Sequence, residues 1–156
     1  MLKIDGIPPR LAEQECEALF CQQYCYRGQL QQEVDLLLLK VNGRWHQLYF
    51  ENGTLFWRTQ QEAPKRVETQ PGDLMTYPLI DMGEKYGFNH SIISDCITEP
   101  LPGGASLSFV FEGKGALIVM YRDNRTALRF IPVFTKERFV SGAPSASLRT
   151  KGFVES

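Results

Sequence analysis

Two Asn-Gly pairs, Asn42-Gly43 and Asn52-Gly53, separate three apolar runs: Val34–Val41, Arg44–Glu51 and Thr54–Arg58. Asparagine and glycine readily enter the positive-φ conformations that a type I′ turn needs, and that turn matches the twist of the strands it joins. Two such turns in succession predict a three-stranded antiparallel meander. Two-residue loops also fix its register. Leu37, Leu48 and Trp57 then share one row, Asp35, Phe50 and Leu55 the next, and Leu39, His46 and Thr59 the row beyond. This side reads as core. The opposite side carries Leu36–Tyr49–Phe56, Leu38–Gln47–Arg58 and Lys40–Trp45. It is too apolar for a purely solvated surface. A helix, a second sheet or another molecule must cover it.

A second meander is expected over 105–134, where Ser106–Phe111 alternates apolar and polar residues. With a turn at Gly113-Lys114 and a three-residue turn at Asp123–Arg125, Leu107, Met120 and Leu128 form one row, and Phe109, Ile118 and Phe130 another. Pro132 lacks an N–H, which places the last strand at an edge or ends it.

The remaining segments are less regular. Pro8-Pro9 precedes Arg10–Tyr26, a stretch without Gly or Pro in which Ala12, Cys16, Leu19, Phe20 and Tyr24 share one face of a 100° wheel. This pattern predicts a helix that stops at Gly28. The middle, Gln60–Gly104, holds five of the nine prolines, with strands expected at Ile92–Ile97 and Met75–Ile80 and a turn at Pro100–Gly104. Long irregular connections are uncommon in compact domains, so part of this one reads as a functional loop. Small residues over Ser141–Ser147 predict a flexible tail at 141–156 after a single domain at 1–140. The expected fold class is α+β: an N-terminal helix packed on a mostly antiparallel sheet or half-open barrel built from two three-stranded meanders.

Composition excludes several activities. Among 156 residues, 17 Lys and Arg oppose 18 Asp and Glu, a net charge of −1. No basic field exists to hold nucleic acid. No apolar run approaches the ~18 residues of a membrane span, and the first residues lack the apolar core of a signal peptide. A cytoplasmic protein with reduced thiols is the expectation. The Asn-x-Ser/Thr triplets at Asn52, Asn89 and Asn124 then read as accidental.

Cys16, Cys21, Cys25 and Cys96 raise the question of metal. On a helix, Cys21 and Cys25 would lie together but Cys16 roughly 140° away, so three thiolates could not converge. Cys21 and Cys25 with His46, His90 or Cys96 would be needed, and buried apolar filler is the better reading. No metal and no cofactor are expected. A cysteine nucleophile would need a base, but His46 falls on a core face and His90 in a loop, with Asp95 or Cys96 as its candidate partner. Asp73, Asp81, Glu84, Asp95 and Glu99 supply carboxylates in the middle region, and Gly103-Gly104 and Gly113-Lys114-Gly115 lack phosphate-loop spacing.

The segment Leu36–Arg58, with its Gly-Arg-Trp and Asn-Gly-Thr-Leu-Phe-Trp pieces, resembles the first three strands of a pleckstrin-homology domain. Its Val41–Arg44 connection is shorter than that family's basic headgroup loop, and its expected helix is N-terminal where the family's is C-terminal. The resemblance therefore brings no phosphoinositide site with it.

The aromatic residues carry the functional expectation. Trp, Tyr and Arg dominate interface hot spots, and Trp45, Tyr49 and Phe56 crowd one meander face beside Lys40 and Arg58. The first reading is a non-catalytic protein that binds another protein, or its own copy, through this face or the middle loop. The alternative is a small apolar ligand held between the meanders by Leu48, Trp57, Phe109 and Phe130. The third is an enzyme using His90 and the middle carboxylates.

Overall fold

A computed structural model of the chain describes residues 2–133. It is built almost wholly of strands: β1 (Lys3–Asp5), β2 (Gln14–Tyr26), β3 (Gln29–Val41), β4 (Arg44–Glu51), β5 (Thr54–Gln60), β6 (Met75–Thr76) and β7 (Leu79–Asp81) precede the single-turn α1 (Met82–Lys85). The chain continues through β8 (Ile92–Leu101), β9 (Gly104–Phe111), β10 (Gly115–Arg122) and β11 (Arg125–Pro132). These join into one sheet in the order β1-β5-β4-β3-β2-β8-β9-β10-β11, with β6 and β7 also on β2. Every pairing is antiparallel except β1 with β5.

The expected N-terminal helix is absent, and this overturns the α+β class. No helix of seven or more residues occurs among the described residues. Gln14–Tyr26 is a strand whose register slips between Cys16 and Ala18. A bulge inserts one residue, so the inward-facing Cys16 and Leu19 are three positions apart where a regular strand would separate them by two. That spacing imitates a helical period. Gly28 ends no helix; it is the second residue of a hairpin turn, with φ of 52° at Arg27 and 76° at Gly28. The first meander is thus part of a four-stranded one, β2 to β5.

Over Leu37–Val41 of β3 and along β4–β5 the expected register is the observed one: Leu37 pairs with Leu48 and Leu48 with Trp57, while Leu39, His46 and Thr59 form the row beside them. The row expected to add Asp35 to Phe50 and Leu55 is corrected: Val34 is the buried residue there, and half-buried Asp35 accepts a hydrogen bond from Gln22. The second meander exists but its middle strand is turned over. The β9–β10 loop has three residues, since Phe111 pairs with Gly115, and the β10–β11 loop has two, since Arg122 pairs with Arg125. Val119 therefore stands between Leu107 and Leu128, and Leu117 between Phe109 and Phe130. Ile118 and Met120 face the other way, because a one-residue slip exchanges the two faces of a strand. Strands do occur at both expected places in the middle segment, the longer running to Leu101.

The sheet curls around one core. Leu19, Leu37, Leu39, Leu48, Leu55 and Trp57 from its first half meet Leu107, Phe109, Leu117 and Val119 from its second. The stretch after α1 plugs one side: Phe88 is fully buried and stacks on Phe111 with ring centroids 4.0 Å apart. At the seam β11 approaches β3 without a backbone ladder. The Gln32 side-chain oxygen accepts the Thr126 N–H at 2.8 Å, Glu33 accepts the Leu128 N–H at 2.8 Å, and Thr126 Oγ1 accepts the Val34 N–H at 2.9 Å. Side chains bridge the gap, and the sheet is not closed. The expected tail at 141–156 and the domain end at 140 lie outside the described residues.

Candidate functional site

The outer side of β2–β5 is where the candidate residues gather. Alternation along paired strands brings Phe20, Leu38, Gln47 and Arg58 into one row, with Lys40 and Trp45 in the row on one side and Leu36, Tyr49 and Phe56 in the row on the other. Tyr49 stacks on Phe56, centroids 5.0 Å apart and planes 11° off parallel. Phe20 and Trp45 lie 6.2 Å apart on the opposite diagonal. Leu38, between these pairs, is buried although it faces outward. The aromatic side chains themselves are half-buried. No helix or second layer covers them among the described residues.

The cations of this face are used locally. Lys40 Nζ lies 5.8 Å from the Trp45 ring centroid and 3.9 Å from a Glu17 carboxylate oxygen. The Arg58 guanidinium is 5.3 Å from the Phe56 ring centroid and 3.0 Å from the Asp5 carboxylate. A cation over an aromatic ring is attracted by the ring's quadrupole and holds it in place. With both charges matched nearby, the face offers no free positive pair to a polyanion.

The proposed ligand-lining residues do meet in the core, Leu48 and Trp57 from one half and Phe109 with Phe130 from the other. The void between the halves, beside Leu37, Leu48, Leu55 and Val119, measures only about 10 Å³. That is room for one water at most. A larger, open groove of about 530 Å³ lies in the middle segment, between Arg66–Gln70 and Thr76–Pro78.

The catalytic candidates do not converge. His46 is buried, and its Nδ1 accepts the Trp57 indole N–H at 3.0 Å with Thr59 Oγ1 at 3.2 Å. Burial first, and the nearby Arg44 charge second, hold its pKa below the ordinary 6.5. It is a neutral structural group. His90 is exposed, and its Nδ1 meets Glu15 at 2.8 Å rather than Asp95 or Cys96. Asp73 accepts the Gln70 N–H, Asp81 caps α1 through the Glu84 N–H, and Asp95 accepts the Cys96 N–H. Each of these three carboxylates accepts a hydrogen bond from a backbone N–H close to it in sequence.

Three of the four thiols are equally quiet. Burial pushes Cys16, Cys21 and Cys96 up to about 12, so they stay protonated and poor nucleophiles at neutral pH. On a strand, Cys21 and Cys25 are separated by roughly 13 Å of chain, so the helical premise for pairing them fails. No group of three His, Cys, Asp or Glu side chains that could hold a metal occurs among the described residues. No helix among them is long and apolar enough to cross a membrane.

Two contributors to this surface were not legible in the sequence. Phe20 reads as part of a helix face until β2 is recognised as a strand. Glu17, the bulge residue, turns its carboxylate to Lys40 and accepts the Gly43 N–H at 3.0 Å. Comparison of the chain with protein-family models, with curated proteins and with solved structures finds no match.

Proposed function

We propose that this protein is a non-catalytic binding module that recognises another protein molecule through the outer face of β2–β5, with Lys40, Trp45, Tyr49, Phe56 and Arg58 in the contact. The observation that carries the reading is a row of half-buried aromatic rings on a sheet face that no other layer of the described residues covers. Aromatic rings bring large contact areas at low entropic cost, and Trp, Tyr and Arg anchors sit at the centre of most protein interfaces. Ring-to-ring and cation-to-ring contacts preorganise the surface, so little freedom remains to be lost on binding.

Other observations favour this reading over its rivals. The core void is too small for an apolar ligand. His46 spends its Nδ1 on Trp57 and Thr59 in the core, His90 is exposed with Glu15 as its hydrogen-bond partner, and burial keeps the Cys16, Cys21 and Cys96 thiols protonated and poor nucleophiles. Native mass spectrometry of the protein gently isolated from its own source tests the proposal, beside a Trp45→Ala/Tyr49→Ala variant handled identically. The wild type is expected to carry the mass of a further polypeptide, and the folded variant to appear as the bare 17.8 kDa chain. A bare wild-type chain, or an unchanged complex in the variant, overturns it.

A further inference from the structure

We infer that the middle segment forms a second binding site, apart from the outer face of β2–β5, which takes an extended peptide carrying an acidic and a basic side chain two positions apart. The site is the open groove between Arg66–Gln70 and Thr76–Pro78, and none of the residues lining it belongs to the aromatic face. Its turn, its backbone and its charges each point to that guest.

The walls of the groove are the two arms of one chain reversal. The Asp73 N–H donates to the Gln70 carbonyl at 3.1 Å, the bond of a four-residue turn, and the Asp73 carboxylate accepts the Gln70 N–H at 2.6 Å. Arms that meet at so tight a turn commonly zip into a hairpin. Here no backbone hydrogen bond crosses between them among the described residues. A groove of about 530 Å³ separates them instead, a size usual for ligand sites.

Both arms keep their backbone groups free. No hydrogen bond from the described residues reaches the backbone of Arg66, Val67, Glu68 or Thr69 on one arm, or of Tyr77 on the other. Among those residues β6 and β7 pair with β2 alone. Every such residue carries one donor and one acceptor that call for partners. An extended peptide supplies them along its whole length, as in strand addition. The Tyr77 ring is stacked on Tyr24 with centroids 5.4 Å apart, which holds that wall in place. Val67 in one wall and Met75 beside the other are 42% and 52% exposed, and they offer apolar contact to the guest's alternate side chains.

The charges set the guest's chemistry. Arg66 and Glu68 both line the groove, and neither forms an ion pair with the other or with any described residue. Paired as a strand, this arm sets the two side chains on one side, about 6.8 Å apart. A guest strand beside it then meets Arg66 with an acid and Glu68 with a base, and opposite charges directly across a strand pair stabilise it. The guest's pattern is Arg-x-Glu if it runs antiparallel to the arm and Glu-x-Arg if it runs parallel.

Fluorescence polarisation tests the site with two labelled peptides, Thr-Arg-Val-Glu-Val-Thr and Thr-Glu-Val-Arg-Val-Thr, titrated with the full chain to about 1 mM. One peptide is expected to bind at least about tenfold more tightly than the other, and its order gives the guest's direction. The variant Arg66→Glu/Glu68→Arg, checked for unchanged circular dichroism, is expected to reverse the preference. Methylating the central valine nitrogen of the preferred peptide removes a backbone donor and is expected to weaken binding at least about fivefold. Binding of neither peptide, equal binding of both, or a preference that survives the charge exchange overturns the inference. Binding that ignores the methyl group overturns it as well, since side chains alone would then hold the peptide.

Discussion

The strands β3–β5 and β9–β11 are two meanders of the same plan that face water with different chemistry. Both send leucines and aromatic rings into the shared core. On its outer side β3–β5 shows Trp45, Tyr49 and Phe56, whereas β9–β11 shows Ser106, Ser108, Val110, Ile118, Met120, Ala127, Arg129 and Ile131. The second set is small, aliphatic or charged and contains no ring. A surface of small, aliphatic and charged side chains is ordinary; contiguous aromatic side chains on one face point to an interaction site. Under the proposed function, this difference assigns recognition to one half of the sheet and a scaffold role to the other.

The largest effects should come from breaking the inside–outside assignment of β10. Leu117→Asp places an unpaired charge in the core and is expected to cost more than ~4 kcal/mol, enough to unfold the chain. Ile118→Asp, one residue on, should change stability by less than about 1 kcal/mol. Urea denaturation of the two variants compares them directly, and equal losses would mean the register is wrong. Next comes the plug beneath the scaffold half: Phe88→Ala removes the stack on Phe111 and should cost about 3–5 kcal/mol by the same measurement.

The seam between the halves is weaker. Thr126→Val leaves the Val34 N–H without its side-chain acceptor and should cost about 1–3 kcal/mol. Faster hydrogen exchange should appear in β11 and at Val34 while the β4–β5 amides keep their protection; uniform loss of protection would contradict a local seam. The outer face should matter least to folding. Trp45→Ala/Tyr49→Ala is expected to lower stability by only about 1–2 kcal/mol, chiefly through the lost Tyr49–Phe56 stack, yet abolish association. Thermal denaturation beside the native mass spectra reads both quantities.

A pH titration sharpens the contrast from within the first meander. The folded-state pKa of His46 lies below the ordinary 6.5, so the unfolded chain takes up this proton first. Its contribution to stability is complete above about pH 6.5 and declines as pH falls from there toward the folded value. Protonating Nδ1 also opposes the Trp57 indole N–H. Trp57 emission should therefore report the loss, and a His46→Gln variant should lose this part of the acid dependence.

What could be read in advance differed between the two regions for physical reasons. Asn42-Gly43 and Asn52-Gly53 enforce two-residue loops, and the register of β3–β5 followed from them. Gly113 in the three-residue loop and Gly115 just after it both adopt positive φ, while Asp123 and Asn124 make a two-residue turn that nothing but their own φ of 53° and 63° distinguishes from a longer one. One loop was taken a residue short and the other a residue long. The errors cancelled at β11 and left only β10 inverted. In β2 the Glu17 bulge erased the alternation that marks a strand, so the aromatic face lost Phe20 and gained a helix to cover it. Which residues make up the rest of that face was legible from local pattern. Whether anything covers it depends on distant segments, and local pattern does not carry that information.

The most direct test of the central claim is photo-crosslinking from the two outer faces in the source cells, with p-benzoylphenylalanine replacing Tyr49 in one protein and Ile118 in another. A specific protein adduct from position 49 and none from position 118 is the predicted result. Adducts from position 118 alone, or from neither, would contradict the assignment of recognition to the aromatic face.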